Sequence, residues 1–161
     1  MPKHSAGLLV YRYSNDNLEV FLVHPGGPFW TKKDAGVWSI PKGEFIDEEP
    51  LEAAKREFEE ETNIRIHGQF TPLTPIKQSN AKIVYAWAIE ADFDSSKIKS
   101  NPFTMEWPPK SGKYQEFPEI DKGQWFTISE AIKKILKGQT GLIKELIQIL
   151  DFDAEKRPSK G

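Results

Sequence analysis

Between Pro41 and Ile64 the chain reads PKGEFIDEEPLEAAKREFEEETNI, and this stretch restricts the fold more than any other. Pro50 is placed to be the first residue of a helix, because its missing N–H falls where no intrahelical partner exists and its ring fixes a helical φ. Asp47, Glu48 and Glu49 crowd the positive end of that helix's dipole. Leu51, Ala54 and Phe58 recur at i, i+3 and i+7, so one stripe is apolar and needs a core to cover it. Glu57, Glu60 and Glu61 share a different face, at spacings where each like-charge pair costs roughly 0.2–0.5 kcal/mol. They also sit in the last turns, where the dipole repels anions. Carboxylates gathered against their own repulsion need a compensating cation, and hard divalent ions such as Mg²⁺ take oxygen ligands from a few carboxylates and a phosphate. The plainer alternative is a solvated acidic face with Lys55 and Arg56 as local partners.

With 161 residues, 38% hydrophobic and 29% charged, the sequence suits one domain with a sizeable core. We expect that domain over residues 1–150 and a flexible tail over 151–161. A net charge of −2 gives no broad basic field, so there is no signature of DNA binding or of a membrane surface. The chain has no cysteine, which excludes disulfides, thiolate metal sites and cysteine nucleophiles and fits a reducing compartment. No full signal peptide and no apolar run of about 20 residues is present, so a cytoplasmic protein is expected.

Along the chain, Ala6–Tyr13 and Leu18–His24 read as a hairpin around the turn sequence SNDN. The segment Pro25–Gly36 is too rich in Gly and Pro for a regular element. Val37–Ile40 reads as a short strand, which Pro41 ends, delivering Lys42 and Gly43 to a loop. After the acidic helix come weak strands within Arg65–Ile76, then the run Ala81–Phe93, apolar on both alternating faces. A strand covered on both sides belongs in a sheet between helix layers. Ser95–Pro118 reads as a long loop of the kind that binds something. Gly123–Thr127 is a last strand, Ser129 caps a helix to about Leu136, Gly138 breaks it, and Thr140–Leu150 is an amphipathic helix.

Gly43, Glu48, Arg56, Glu57, Phe58, Glu60, Glu61 and Ile64 together resemble the Nudix box, G-x5-E-x7-R-E-U-x-E-E-x-G-U with U apolar. Two positions depart from it. Four residues rather than five separate Gly43 from Glu48, and Asn63 replaces the box glycine, a mild change because Asn also accepts the left-handed conformation at a helix end. The segments HPGGPFW, KDAGVWSIPKGE and PPKSGKYQEFPEIDKGQWF are also similar to a bacterial subgroup of Nudix pyrophosphohydrolases, and SIPKGE to dinucleoside polyphosphate hydrolases. The resemblance implies an α/β/α sandwich around a mixed sheet and Mg²⁺- or Mn²⁺-dependent hydrolysis of a nucleoside diphosphate linked to another group. A nucleoside triphosphate or a dinucleoside polyphosphate would be the small-molecule substrate.

Carried over residue by residue, the resemblance makes Glu57, Glu60 and Glu61 the metal ligands, with a backbone carbonyl of Lys42 or Gly43 and a water-mediated contact from Glu48. Arg56 would orient Glu57 or Glu48. The general base would come from the loop QEFPEIDKGQW, with Glu119 first, Glu116 second and Asp121 third. Phe29, Trp30 and Trp107 are placed to stack a base, and Lys32, Lys33, Lys42, Lys110 and Lys113 to meet phosphates. Trp38 and Trp87, inside expected strands, are assigned to the core, and His24 and His67 to structural or surface positions. A nucleotide-binding sensor on the same scaffold is the alternative function. Isomerase chemistry on an isoprenoid diphosphate is disfavoured, since no cysteine is available as partner acid.

Overall fold

The computed structural model describes residues 3–79 and 81–156. Strands β1 (Lys3–Ser14) and β2 (Asn17–Pro25) form the expected hairpin, and Asn15 and Asp16 turn it with φ of 50° and 67°. Both residue types tolerate this left-handed pair, which matches the twist of the flanking strands. On its other edge β1 pairs in parallel with β6 (Lys82–Glu90), from Lys3↔Lys82 to Tyr11↔Glu90. Strand β9 (Ile120–Thr127) runs antiparallel to β2, while β4 (Thr71–Pro72) and β5 (Ile76–Ser79) pair antiparallel with β6. With β3 (Lys42–Glu44) on β1, the result is a mixed seven-stranded sheet.

Alternating side chains of β1 serve two cores. Leu8 and Val10 pack with Phe21, Ala53, Ala54, Phe58 and Trp125 on the face carrying α1 (Pro50–Thr62). Leu9 joins Leu22, Trp38, Ile40, Phe126, Leu142 and Leu146 on the face carrying α2 (Ile128–Lys134) and α3 (Thr140–Lys156). The molecule is therefore an α/β/α sandwich, as the two apolar faces of β6 require. Helix α1 begins at Pro50 and ends on Asn63, whose φ of 61° and N–H bond to the Glu59 carbonyl stop it. Its buried stripe is Ala53, Ala54, Phe58 and Thr62, so Leu51 is only partly covered. Burial of Phe58 contributes about 2–3 kcal/mol.

Several expected boundaries move. Val37–Ile40 is not a strand: it makes single bridges, Val23↔Ser39 and Trp38↔Ile135, that hold it extended between β2 and the end of α2. Lys42 and Gly43 are in β3 rather than in a loop, because β1 offers them an open edge. The long loop over Ser95–Pro118 contains a 3₁₀ turn (Ser95–Lys97) and a hairpin of β7 (Pro102–Glu106) and β8 (Tyr114–Pro118). Of its strand residues Phe103, Met105, Glu106 and Phe117 are partly covered and the rest exposed, so little hydrophobic pattern announces it. Thr127 rather than Ser129 precedes α2, and α3 continues to Lys156, into the segment expected as a tail. Residues 157–161 of that expectation lie outside the described residues. No described helix is long and apolar enough to cross a membrane.

Candidate active site

The part of the sheet where β3 pairs with β1 presents Gly43 to α1. A Cβ at Gly43 would occupy the position of the Glu57 carboxylate, so glycine is needed for the acid to lie flat on the strand. Glu57 and Glu61, one turn apart, point toward this strand and away from bulk water. Burial is the main reason the Glu57 carboxyl titrates above its ordinary range, with the charges of Glu60 and Glu119 adding to the effect and Arg56 opposing it. Glu61 is pushed up to about 8, first by burial and then by the Glu57 charge, while the Lys42 ammonium and the Lys42 backbone N–H pull it down. Its Oε2 is buried with no hydrogen-bond partner. Such an atom costs about 1–3 kcal/mol, more when charged, unless a water or an ion meets it.

Arg56 organises the outer side. Its Nε lies 3.0 Å from Glu48 Oε2 and its Nη2 2.7 Å from Glu48 Oε1, a two-pronged bond, while Nη1 donates to Glu57 at 2.8 Å and Glu60 at 3.1 Å. These bonds hold the Glu48 carboxyl below its ordinary range and the guanidinium proton more firmly than usual. With the shortened loop Glu48 still reaches Arg56, and Asp47 just before it takes a left-handed φ of 57°. Glu60 is nearly half exposed, with 45% of its side chain accessible against 13% for Glu57.

Beside Glu61 opens a cleft of about 230 Å³ with Lys42 and Glu61 on its polar side and Trp30, Val37, Ile40 and Leu136 among its apolar walls. Burial lowers the Lys42 ammonium pKa, only partly offset by Glu61, Glu44 and Glu57. Glu119 follows β8, and its charge reaches both Glu57 and Glu61. Its backbone is pinned: Gly26 N–H donates to the Glu119 carbonyl at 2.8 Å, and Glu119 N–H to the Asn101 carbonyl at 3.0 Å. The structure thus gathers Glu57, Glu61, Lys42, Gly43, Trp30 and Glu119, with Glu48 and Glu60 held alongside by Arg56. It leaves Glu116 exposed on β8 opposite Thr104, and Lys32 exposed on its loop. Phe29 packs edge-on against Trp107 at 5.1 Å, on the hairpin, and neither ring lines the cleft with Trp30. Trp38 is core, as its position in the sequence implies. Asp121 bonds to His24 and has a structural partner of its own. The cleft walls Val37, Ile40, Ile120 and Leu136 carry no signal in the sequence, since each is an ordinary apolar residue brought in by distant pairing.

The donor atoms on this face are all oxygen, which suits a hard divalent cation. Among the described residues no three Asp, Glu or His side chains converge as a ready-made cage. Mg²⁺ is ordinarily held by one or two carboxylates with water and substrate phosphate, so Glu57 and the unpartnered Glu61 oxygen fit that ion.

Comparison with known proteins gives the family and the fold. The NUDIX domain family matches residues 1–148. The chain belongs to the Nudix family. Members of the family generally use divalent metal ions, and this Nudix chain is a hydrolase of phosphorus-containing anhydrides. Among solved structures, a Caenorhabditis elegans Ap4A hydrolase in a binary complex is similar at 23% identity and TM-score 0.62, over 92% of this chain and 98% of that one. The NUDIX domain of Shewanella oneidensis NrtR, complexed with ADP ribose, is similar at 15% identity and TM-score 0.64, over 93% and 89%. A mutT/nudix family protein from Listeria innocua is similar at 14% identity and TM-score 0.64, over 98% and 99%. At these identities the structures speak for the shared fold. No curated protein sequence matches the chain.

Proposed function

We propose that this Nudix chain is a Mg²⁺- or Mn²⁺-dependent diphosphatase acting on a nucleoside diphosphate derivative, with nucleoside triphosphates and dinucleoside polyphosphates as first substrates. The observation that carries the reading is the buried, unpartnered Glu61 Oε2 beside Glu57, at the mouth of a cleft holding Lys42 and Trp30. Glu57 and Glu61 would hold the cation, with Glu60 and a backbone carbonyl of Lys42 or Gly43 as further donors. When bound, the ion neutralises charge on the phosphoryl oxygens and makes the attacking water more acidic.

The remaining work falls to side chains. Lys42 meets phosphate oxygens at the cleft floor, and Trp30 stacks the base against apolar walls, in a space that suits a nucleobase and leaves the phosphates along α1. Arg56 fixes the Glu57 and Glu60 carboxylates, so no reorientation is needed as charge builds up. Glu119 takes the proton of the water that attacks phosphorus, a role that requires a position close to the acids but outside their cluster. Glu116 is the second candidate for that base.

A product-release screen over nucleoside triphosphates, dinucleoside polyphosphates, nucleotide sugars and dinucleotides, with Mg²⁺ and Mn²⁺ compared, tests the reading. Metal-dependent release of a nucleoside monophosphate is expected, and Glu60→Gln should lose nearly all turnover with its fold intact. Unchanged turnover in that variant would refute the assignment. Nucleotide binding by calorimetry without product from any member of the panel would favour a sensor.

A further inference from the structure

Among the buried polar residues described, Ser5, His24, Thr62 and Gln139, only His24 is an ordinary acid–base group, and no step above uses it. Its ring stands in β2 with no exposed surface. Nδ1 lies 2.8 Å from Asp121 Oδ1, and Nε2 lies 2.6 Å from the Lys33 carbonyl oxygen. A carbonyl only accepts, so Nε2 carries a proton. In a neutral imidazole Nδ1 would then be a bare acceptor facing a carboxylate, and that contact is satisfied only by one more proton. The Asp121 side chain is 28% accessible, while the ring it meets is fully enclosed.

We propose that His24 is a positioning residue, bonded through both ring nitrogens, which ties the Trp30 loop to the strand that follows Glu119 and so fixes the nucleotide cleft. The role of the cleft rests on the function proposed above; the two bonds of the ring do not.

Local structure supplies both ties. The register of β2 and β9 shifts at His24 and Pro25, with His24 opposite Lys122 and Pro25 opposite Ile120. Asp121 is the extra residue of this bulge, and the bulge turns its carboxylate onto the ring. On the other side, the loop is bonded within itself: Trp30 N–H and Thr31 Oγ1 donate to the Gly27 carbonyl, and Lys33 N–H to the Trp30 carbonyl. Anchoring Lys33 therefore places Trp30. The other charged groups around the ring are engaged elsewhere. Lys33 Nζ lies over Trp30, and Lys122 Nζ over Trp38, whose ring meets His24 edge-on at 5.1 Å. Asp34 from the loop accepts from Trp38 Nε1 and pairs with Lys134 of α2. Asp121 is left as the acid that faces the ring directly.

Nitrogen-15 NMR of the full chain labelled at histidine tests the proposal. The parent should show a His24 Nε2 proton that exchanges slowly with water because the Lys33 carbonyl accepts it. In Asp121→Asn the amide can donate to Nδ1, so the Nε2 proton and the tie to Lys33 should persist. His24→Gln should raise KM for the nucleotide about tenfold, the loss of about one net hydrogen bond, with kcat within about twofold. A parent ring with no slowly exchanging N–H overturns the proposal whatever the protein hydrolyses. A slowly exchanging N–H with an unaltered KM in His24→Gln overturns the positioning role. Absence of turnover in the parent strikes instead at the diphosphatase reading; the NMR result still decides the bonding, and nucleotide Kd then decides the positioning.

Discussion

Replacing Glu61 by Gln should stabilise the protein in alkaline buffer without divalent cations, and remove the stabilisation that Mg²⁺ gives the parent. In the folded chain burial raises the Glu61 pKa from 4.5 to about 8. Between those values the native state holds a proton that the unfolded chain has released, so stability is full below the lower value and falls as pH rises toward the upper. At about 1.4 kcal/mol per pH unit the ceiling on this loss is about 5 kcal/mol. Relaxation and water entry around a group coupled to Glu57 and Lys42 bring the expected figure to about half of that. Gln has the same shape and does not titrate. Subtracting its stability from the parent's cancels the shared groups that do not feel the Glu61 charge. Urea titrations in chelator at acid and alkaline pH should show the parent losing about 2 kcal/mol relative to the variant. Adding Mg²⁺ should restore the parent by mass action and leave the variant unchanged. A difference between parent and variant that stays constant with pH would refute the account of Glu61 burial. A variant stabilised by Mg²⁺ as much as the parent would refute its place among the ligands.

Arg56→Lys keeps one positive charge but cannot bind Glu48 in two prongs while bridging Glu57 and Glu60, so turnover should fall about 10–100-fold with little change in urea midpoint. Gly43→Ala places a methyl group where the Glu57 carboxylate lies; calorimetry should show Mn²⁺ affinity reduced at least about tenfold while circular dichroism stays native. Glu119→Gln should lower kcat about 10²–10⁴-fold, whereas Glu116→Gln, on the outer strand of the hairpin, should stay within about twofold under the same steady-state assay. The opposite ranking would move the general base to Glu116.

What the sequence discloses is what local chemistry dictates. Pro50 starts α1, Asn63 ends it, and Asn15 and Asp16 turn the first hairpin, each through its own backbone preference. A spacing of four residues is enough by itself to put Glu57 and Glu61 on one helical face. What stays hidden depends on distant partners. Lys42–Glu44 becomes β3 because β1 has a free edge, and the Val37–Ile40 segment remains extended because α2 ends beside Trp38. Ile40, Ile120 and Leu136 meet at one cleft through pairings that no local pattern reveals. The hairpin over Pro102–Pro118 leaves little trace in the sequence because its strands bury so little.

Gly26 joins two parts of the site that the chain order keeps far apart. A Cβ there would collide with the Pro118 carbonyl, and its N–H bonds to the carbonyl of Glu119. The segment bearing Trp30 and the corner bearing Glu119 are therefore riveted at a common point. Loop exchange between Nudix chains would have to respect this rivet: a donor 26–36 segment grafted alone would displace Glu119 as well as Trp30. New substrate preferences on this scaffold are best sought by transplanting the two segments as a matched set.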